Sequence, residues 1–359
     1  MNPIIARFVM AAIAAAAVTI STSQAQIYVT DASVGTINVY HTNGAPLSMG
    51  LISGLSAPRG LVVDGSVLYY LDALGTVKKY STAGAPINLS LCTVTGPGGM
   101  ALCSGFLYIG YNGNLVGQYT TLGATQNATF LQFLSAPWYL ASDGADLYVP
   151  ESNGGRVGKY TVPGGILASF NPSLVSVTFP GGVAASGGYL YVAEYVNNVI
   201  DKYTTAGALV QASFITGLSG PGDLAVVDGA LYVYNESSGA VGKYNAATGA
   251  VIDAALIRGP ANAVGALAVV SETASVAIKG KKKIKTTAAI RIVKGTSIAA
   301  EKVEVRVGTH RYKKAVGTAT WTFTAKLKPG RNKISVRATG ANGIASPVTK
   351  IAITRLVTL

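Results

Sequence analysis

The chain carries only two histidines, His41 and His310, so imidazole chemistry starts from a short supply. A metal centre needs several ligands converging on one point, and a serine or cysteine nucleophile needs a base beside it. His41 follows a strand-ending tyrosine, and His310 sits in a Gly308-Thr-His-Arg hairpin far along the chain. Neither has a partner in a recognisable motif, so no catalytic, metal or cofactor residue is assigned. Carboxylates recur more regularly: Asp31, Asp72, Glu151 and Glu194 end equivalent segments, with Tyr111 and Asn235 in the same place elsewhere. A ring of carboxylates could bind calcium through oxygen, but an acid that returns turn after turn is better read as accepting hydrogen bonds within that turn.

Two other sets could bind rather than react. Arg59, Trp138, Tyr139, Asp223 and Asn262 lie just after a series of prolines, where Gly98 and Gly181 occupy the equivalent places. Together they suit a polar ligand with a stacking face, such as a sugar or peptide; the glycines make an idle channel the plainer alternative. Lys302, Arg306, Lys333, Arg337 and Lys350 alternate with apolar residues, so one strand face after another turns a cation outward, with Lys281-Lys-Lys283 nearby. Such a face would attract an anionic cell-surface polymer, lipid headgroups or extracellular nucleic acid. Interleaved aromatics for base stacking are missing, which counts against specific nucleic-acid reading. A solvated cationic face is the plainer alternative here.

The elements that must hold these residues come from a repeat. Prolines 58, 97, 137, 180, 221 and 260 each precede a glycine-rich or apolar run, a Leu-Tyr pair, a turn, and a strand ending in tyrosine. The closing tyrosines are Tyr40, Tyr80, Tyr119, Tyr160, Tyr203 and Tyr244, at spacings of 40, 39, 41, 43 and 41. Within one unit, Gly60–Gly65, Val67–Leu71, Gly75–Tyr80 and Pro86–Leu91 read as four short strands separated by turn residues. Four antiparallel strands every forty residues predict a blade, and six units predict a six-bladed β-propeller over residues 26–271. The chain opens at Ile27-Tyr28, already in a second strand, while Asn262–Val270 is a leftover first strand. Pairing the two would close the ring and remove its open edges.

Leu190-Tyr-Val-Ala-Glu-Tyr-Val-Asn-Asn-Val-Ile-Asp-Lys-Tyr203 and Pro58-Arg-Gly-Leu-Val-Val-Asp-Gly65 resemble NHL-repeat propellers, the wider group that includes streptogramin lyases and gluconolactonase-like enzymes. The resemblance implies the fold over residues 26–270 and, as a possible activity, metal-dependent lyase or lactonase chemistry at an axial mouth. That chemistry would need histidine or carboxylate ligands there, and the two histidines do not supply them.

Residues 272–359 change character. They hold 19 Lys or Arg against 3 Asp or Glu, whereas residues 26–271 hold 8 against 12, which predicts a domain boundary near Ser271. Ala288–Val293, Lys302–Val307, Thr320–Leu327, Asn332–Ala338 and Val348–Thr354 alternate apolar with polar, as half-buried strands do. Trp321, Phe323 and Leu327 should point inward. With its Gly330-Arg-Asn332 turn, the segment resembles a bacterial immunoglobulin-like β-sandwich lacking the antibody cysteine pair.

Arg7, an apolar run from Phe8 to Ile20 and Ser23-Gln-Ala25 read as a bacterial secretory signal peptide cut before Gln26. Cys92 and Cys103, the only cysteines, could pair after export or remain small buried hydrophobes. Asn88, Asn127 and Asn235 fall in sequons that matter only in a eukaryotic route. The expectation is a secreted, periplasmic or cell-surface protein that binds or scaffolds a protein, peptide or glycan without catalysis.

Overall fold

A computed structural model describes residues 26–259, 265–270, 275–278, 283–286, 290–298, 302–317, 320–339, 346 and 348–356. The signal-peptide reading, Pro260, Asn262, Lys281 and Lys282 lie outside the described residues. Two compact units meet in sequence between Glu272 and Thr273, within two residues of the change of charge sign.

Among the described residues the first unit contains six four-stranded antiparallel sheets, five of them each from one forty-residue stretch of chain. The inner strands neighbour one another in cyclic order, so the sheets form a β-propeller around an axis. Second strands such as Val67–Asp72 are buried almost throughout, because neighbouring sheets cover both faces; hence their runs of Leu, Tyr and Val in place of alternation. Outer strands such as Pro86–Thr93 are mostly exposed. The core is thus divided into a series of inter-sheet seams.

Sheet 1 is built from both ends of this unit. Leu267–Val270 pairs antiparallel with Gln26–Asp31, Val29 opposite Leu267 and Gln26 opposite Val270. Thr30, fully buried, accepts from the Ala266 amide at 2.6 Å and donates its own amide to the Ala266 carbonyl at 3.0 Å. The ring therefore closes by hydrogen bonds between the two chain ends of the unit.

A second set of bonds ties each sheet to the next. The residue before the closing tyrosine is Lys79, Gln118, Lys159, Lys202 or Lys243 in sheets 2 to 6. Each faces the tyrosine of the Leu-Tyr pair across the ladder: Tyr69, Tyr108, Tyr148, Tyr191 and Tyr232. The four lysines hold their ammonium groups 5.3 to 5.7 Å from those rings. Each of the five then reaches the following sheet's third-to-fourth-strand turn and donates to a backbone carbonyl. Lys79 meets Thr121 at 3.1 Å, Gln118 meets Gly165 at 2.5 Å, Lys159 meets Thr205 at 3.1 Å, Lys202 meets Ala246 at 3.0 Å, and Lys243 meets Thr42 of sheet 1 at 2.8 Å. Burial pushes the Lys202 and Lys243 ammonium pKa values down. A carbonyl and a ring face offset that cost of desolvation. Sheet 1 has Val39 at this position, so its joint with sheet 2 has no such latch.

Cys92 and Cys103 are free thiols packed in different seams, which decides between the two readings in favour of buried hydrophobes. Burial raises the Cys92 thiol to about 11.

The second unit packs a three-stranded sheet (Ser275–Ile278, Ile290–Ile298, Thr320–Lys326) against a five-stranded one (Lys283–Thr286, Thr349–Arg355, Gly330–Thr339, Lys302–Val307, Lys313–Lys314). Trp321 and Leu327 are buried in the shared core with Val303, Ile334 and Ile353, and Phe323 packs beside them. Three of these strands had no alternation to announce them: Ser275–Ile278, Lys283–Thr286 and the two-residue Lys313–Lys314. The Lys283–Thr286 strand runs parallel to the last strand. Asn332 stitches its turn, accepting from the Lys328 amide at 3.0 Å and donating to the Lys328 carbonyl at 2.8 Å.

Candidate functional site

At the mouth of the propeller the six repeats stop resembling one another. In sheet 4 the inner strand shrinks to Ala141–Ser142, preceded by an isolated bridge from Pro137 to Glu151. Ala136 and Tyr139 adopt left-handed backbone, φ +55° and +44°, a conformation L-residues hold only when their surroundings require it. The consequence is that Trp138 and Tyr139 leave the sheet. Gly98 and Gly99 of sheet 3 make room: a Cβ there would lie 2.4 Å from the Pro137 carbonyl and 2.3 Å from the Tyr139 nitrogen.

The displaced pair spans the mouth. Arg59 of sheet 2 places its guanidinium 5.3 Å from the Trp138 ring centre, and the Tyr139 hydroxyl donates to Glu236 of sheet 6. Burial raises the Glu236 carboxyl, opposed by the Tyr139 hydrogen bond and the Arg59 charge. Burial also pushes the Tyr139 phenol far above its usual range, so it stays a neutral donor. Beneath the bridge lies an axial cavity of about 280 Å³, lined in part by Arg59, Tyr139 and Asp223. That volume is just under the range of typical ligand pockets, roughly 300–1,000 Å³, and admits a small group or one side chain.

Of the residues expected at this mouth, Arg59, Trp138 and Tyr139 come together, and Asn262 lies outside the described residues. Asp223 lines the cavity but its oxygens are already engaged. Oδ2 accepts from the Leu267 amide of the closing strand at 2.8 Å, and Oδ1 from Leu224 at 2.9 Å. It anchors the closure. Burial nevertheless raises its pKa to about 7 against those two bonds, with the Glu236 charge adding to the rise. Glu236 is the residue sequence reasoning missed. It stands one place beyond the recurring turn acid, outside both patterns.

Three of the recurring acids bond within their own turns: Asp31 accepts from Ser33, Asp72 from Leu74 and Thr76, and Glu194 from Asn197. Glu151 instead accepts from Ser135, ahead of the inner strand, and pairs with Arg156. Among the described residues no three His, Cys, Asp or Glu side chains gather as a metal site would require. The closing tyrosines Tyr80, Tyr119, Tyr160, Tyr203 and Tyr244 are buried between sheets. At Gly117, Gly158 and Gly242 a Cβ would come within 2.9 Å of the tyrosine ring two residues on.

In the second unit the expected cationic face is divided. Lys302 and Arg337 both pair with Glu304, each at 2.9 Å, and Arg337 also lies 4.2 Å from the Tyr312 ring. One carboxylate thus offsets half of their charge. Lys350 is exposed on the last strand, and Arg306, 4.7 Å from the same Tyr312 ring, lines a cleft together with Lys333.

Among solved structures, a chain of a nidogen/laminin complex superposes with TM-score 0.57 at 14% identity, over 69% of this chain and 99% of that one. A functionally unknown protein from Desulfotomaculum acetoxidans gives 0.50 at 16%, over 69% and 86%. A virginiamycin B lyase from Staphylococcus aureus gives 0.43 at 16%, over 83% and 94%. No family model and no curated sequence matches the chain. The first two likenesses agree with the propeller in fold. Among the described residues no helix is long and apolar enough to cross a membrane.

Proposed function

We propose that this chain is a secreted or cell-envelope binding protein without catalysis, whose propeller presents its axial mouth to a protein, peptide or glycan. The observation that carries the reading is the bridge itself. Arg59, Trp138, Tyr139 and Glu236 come from three different sheets, break the repeat where they stand, and leave a guanidinium and an indole half-exposed on one rim. Half-exposed Arg and Trp on a rigid frame suit recognition, because little side-chain entropy remains to be lost on binding.

The metal-dependent lyase or lactonase reading finds less support. Asp223 and Glu236, the acids at the mouth, are committed to two backbone amides and to Tyr139. His41 and His310 belong to different units. The leader-like first 25 residues support export, and the second unit, with its Asn332 turn, serves in this reading as an immunoglobulin-like spacer or attachment module.

The mature protein is tested on glycan and peptide arrays beside an Arg59→Ala/Trp138→Ala double variant. Loss of the captured ligand in the variant supports the reading, and unchanged capture sinks it. Metal analysis of the purified protein separates the enzymatic alternative, since a stoichiometric metal would favour it.

A further inference from the structure

The second unit holds a cleft of about 1280 Å³ whose lining, among the described residues, includes eight Lys or Arg residues and no Asp or Glu. Arg306 and Ser335 sit opposite each other on neighbouring strands and both line it. The Ser335 side chain is 1% exposed and its Oγ has no hydrogen-bond partner; the Arg306 Nε is likewise buried without one. A buried hydroxyl and guanidinium N–H left open cost free energy unless something completes them. Both are donors, aimed into a cationic hollow. Lys326, Lys328, Arg331 and Lys333 are exposed along the same cleft, while Val307 and Phe323 supply an apolar wall.

We infer that this cleft is a binding site for an anionic polysaccharide, a glycan chain bearing sulfate, carboxylate or phosphate groups. Arg306 and Ser335 meet one oxyanion on the floor, and the exposed lysines follow the charges along the chain. A concave groove with an apolar wall fits a linear polymer that has both acid groups and C–H faces. A bilayer would instead meet a convex or flat cationic face. Phe323 and His310 are the rings in the lining among the described residues, too few for the successive stacking by which single-stranded nucleic acid is held. The site owes nothing to the propeller mouth, and it takes Arg306 and Lys333 from the face drawn from sequence, while Lys302 and Arg337 gather about Glu304.

Binding of the mature protein to dextran sulfate and to polygalacturonate is measured over a salt series, with neutral dextran, single-stranded DNA and phosphatidylglycerol vesicles alongside. Arg306→Gln/Ser335→Ala should weaken dextran sulfate binding about tenfold, as expected for losing charge-assisted bonds. Lys326→Gln/Lys333→Gln, both at exposed positions that do not endanger folding, should weaken it several-fold and flatten its salt dependence. Lys302→Gln should stay within about twofold of wild type. The inference is overturned if the exposed double variant binds as wild type does, or if Lys302→Gln loses as much. Failure to bind either anionic polymer overturns it too, as does tighter binding to DNA or to vesicles.

Discussion

The seams between sheets and the mouth at the axis are built from the same six repeats, yet they treat those repeats in opposite ways. At the seams one solution recurs: a lysine or glutamine under a tyrosine, reaching the next sheet's turn, in five of six joints. At the mouth, the residue after the proline is Arg59, Gly98, Trp138, Gly181 or Gly222, and the next is Gly60, Gly99, Tyr139, Gly182 or Asp223. A seam must fit a neighbour of the same shape, so copying is enough. All six repeats share this mouth, and no neighbour of the same shape asks its residues to agree. Divergence from the repeat has a second cause as well. Sheet 1, assembled from two chain ends, lacks the lysine and is secured by Thr30 and Asp223.

The comparison can be broken most severely at the closure. Deleting residues 261–271 removes the strand that pairs with Gln26–Asp31 and exposes two sheet edges. The propeller should become insoluble or lose cooperative unfolding. A soluble deletion variant with one sharp thermal transition would show that closure is dispensable.

A smaller effect sharpens the account of the seams. Lys202 is 5% exposed and donates to the Ala246 and Ala247 carbonyls. Lys202→Met keeps the bulk and removes both of these charge-assisted bonds, although the Ala246 carbonyl retains the Tyr191 hydroxyl, at a cost of about 1–3 kcal/mol. In a unit of this size that lowers the melting temperature by roughly 3–10 °C. Lys78→Met removes the 3.1 Å partner of Asp72, whose buried carboxylate keeps the Leu74 and Thr76 amides, and should cost less, about 1 kcal/mol. Equal shifts from the two would mean that the latches are ordinary surface contacts.

The fold was legible because its information is periodic. Prolines, Leu-Tyr pairs and closing tyrosines in three registers located the strands of Pro58–Thr93, and the leftover Leu267–Val270 announced its partner. The latches were legible in principle. Lys79, Lys159, Lys202 and Lys243 each precede a closing tyrosine, but a lysine reads as a surface residue until a carbonyl is found beyond its own repeat. Trp138 and Tyr139 stood out as departures from the pattern; Glu236 did not, because a carboxylate one place past a turn acid looks like part of the turn. In the second unit the cation count was correct, and its division between Glu304 and the cleft depends on strand order. That order includes Lys283–Thr286 and Lys313–Lys314, too short and too charged to show a period.

The last test separates the two causes of divergence at the mouth. If Asp223 is a closure residue, its influence belongs to stability and should follow its own titration. Its pKa rises from the ordinary carboxylate value to about 7 in the folded protein, so folding favours the protonated form. Stability is then full below about pH 4, falls as the pH climbs toward 7, and is level above that. The shift would be worth ~4 kcal/mol without screening, and the part exposure of Asp223 reduces it to roughly 1–3 kcal/mol. Glu236 and Glu194 are raised in the same direction by burial, so Asp223→Asn should reduce the slope between pH 4 and 7 without abolishing it. Denaturant unfolding across that range measures it. An unchanged slope in Asp223→Asn would return Asp223 to the ligand-binding set, because a carboxylate that contributes nothing to closing the ring would have no structural reason to interrupt the repeat.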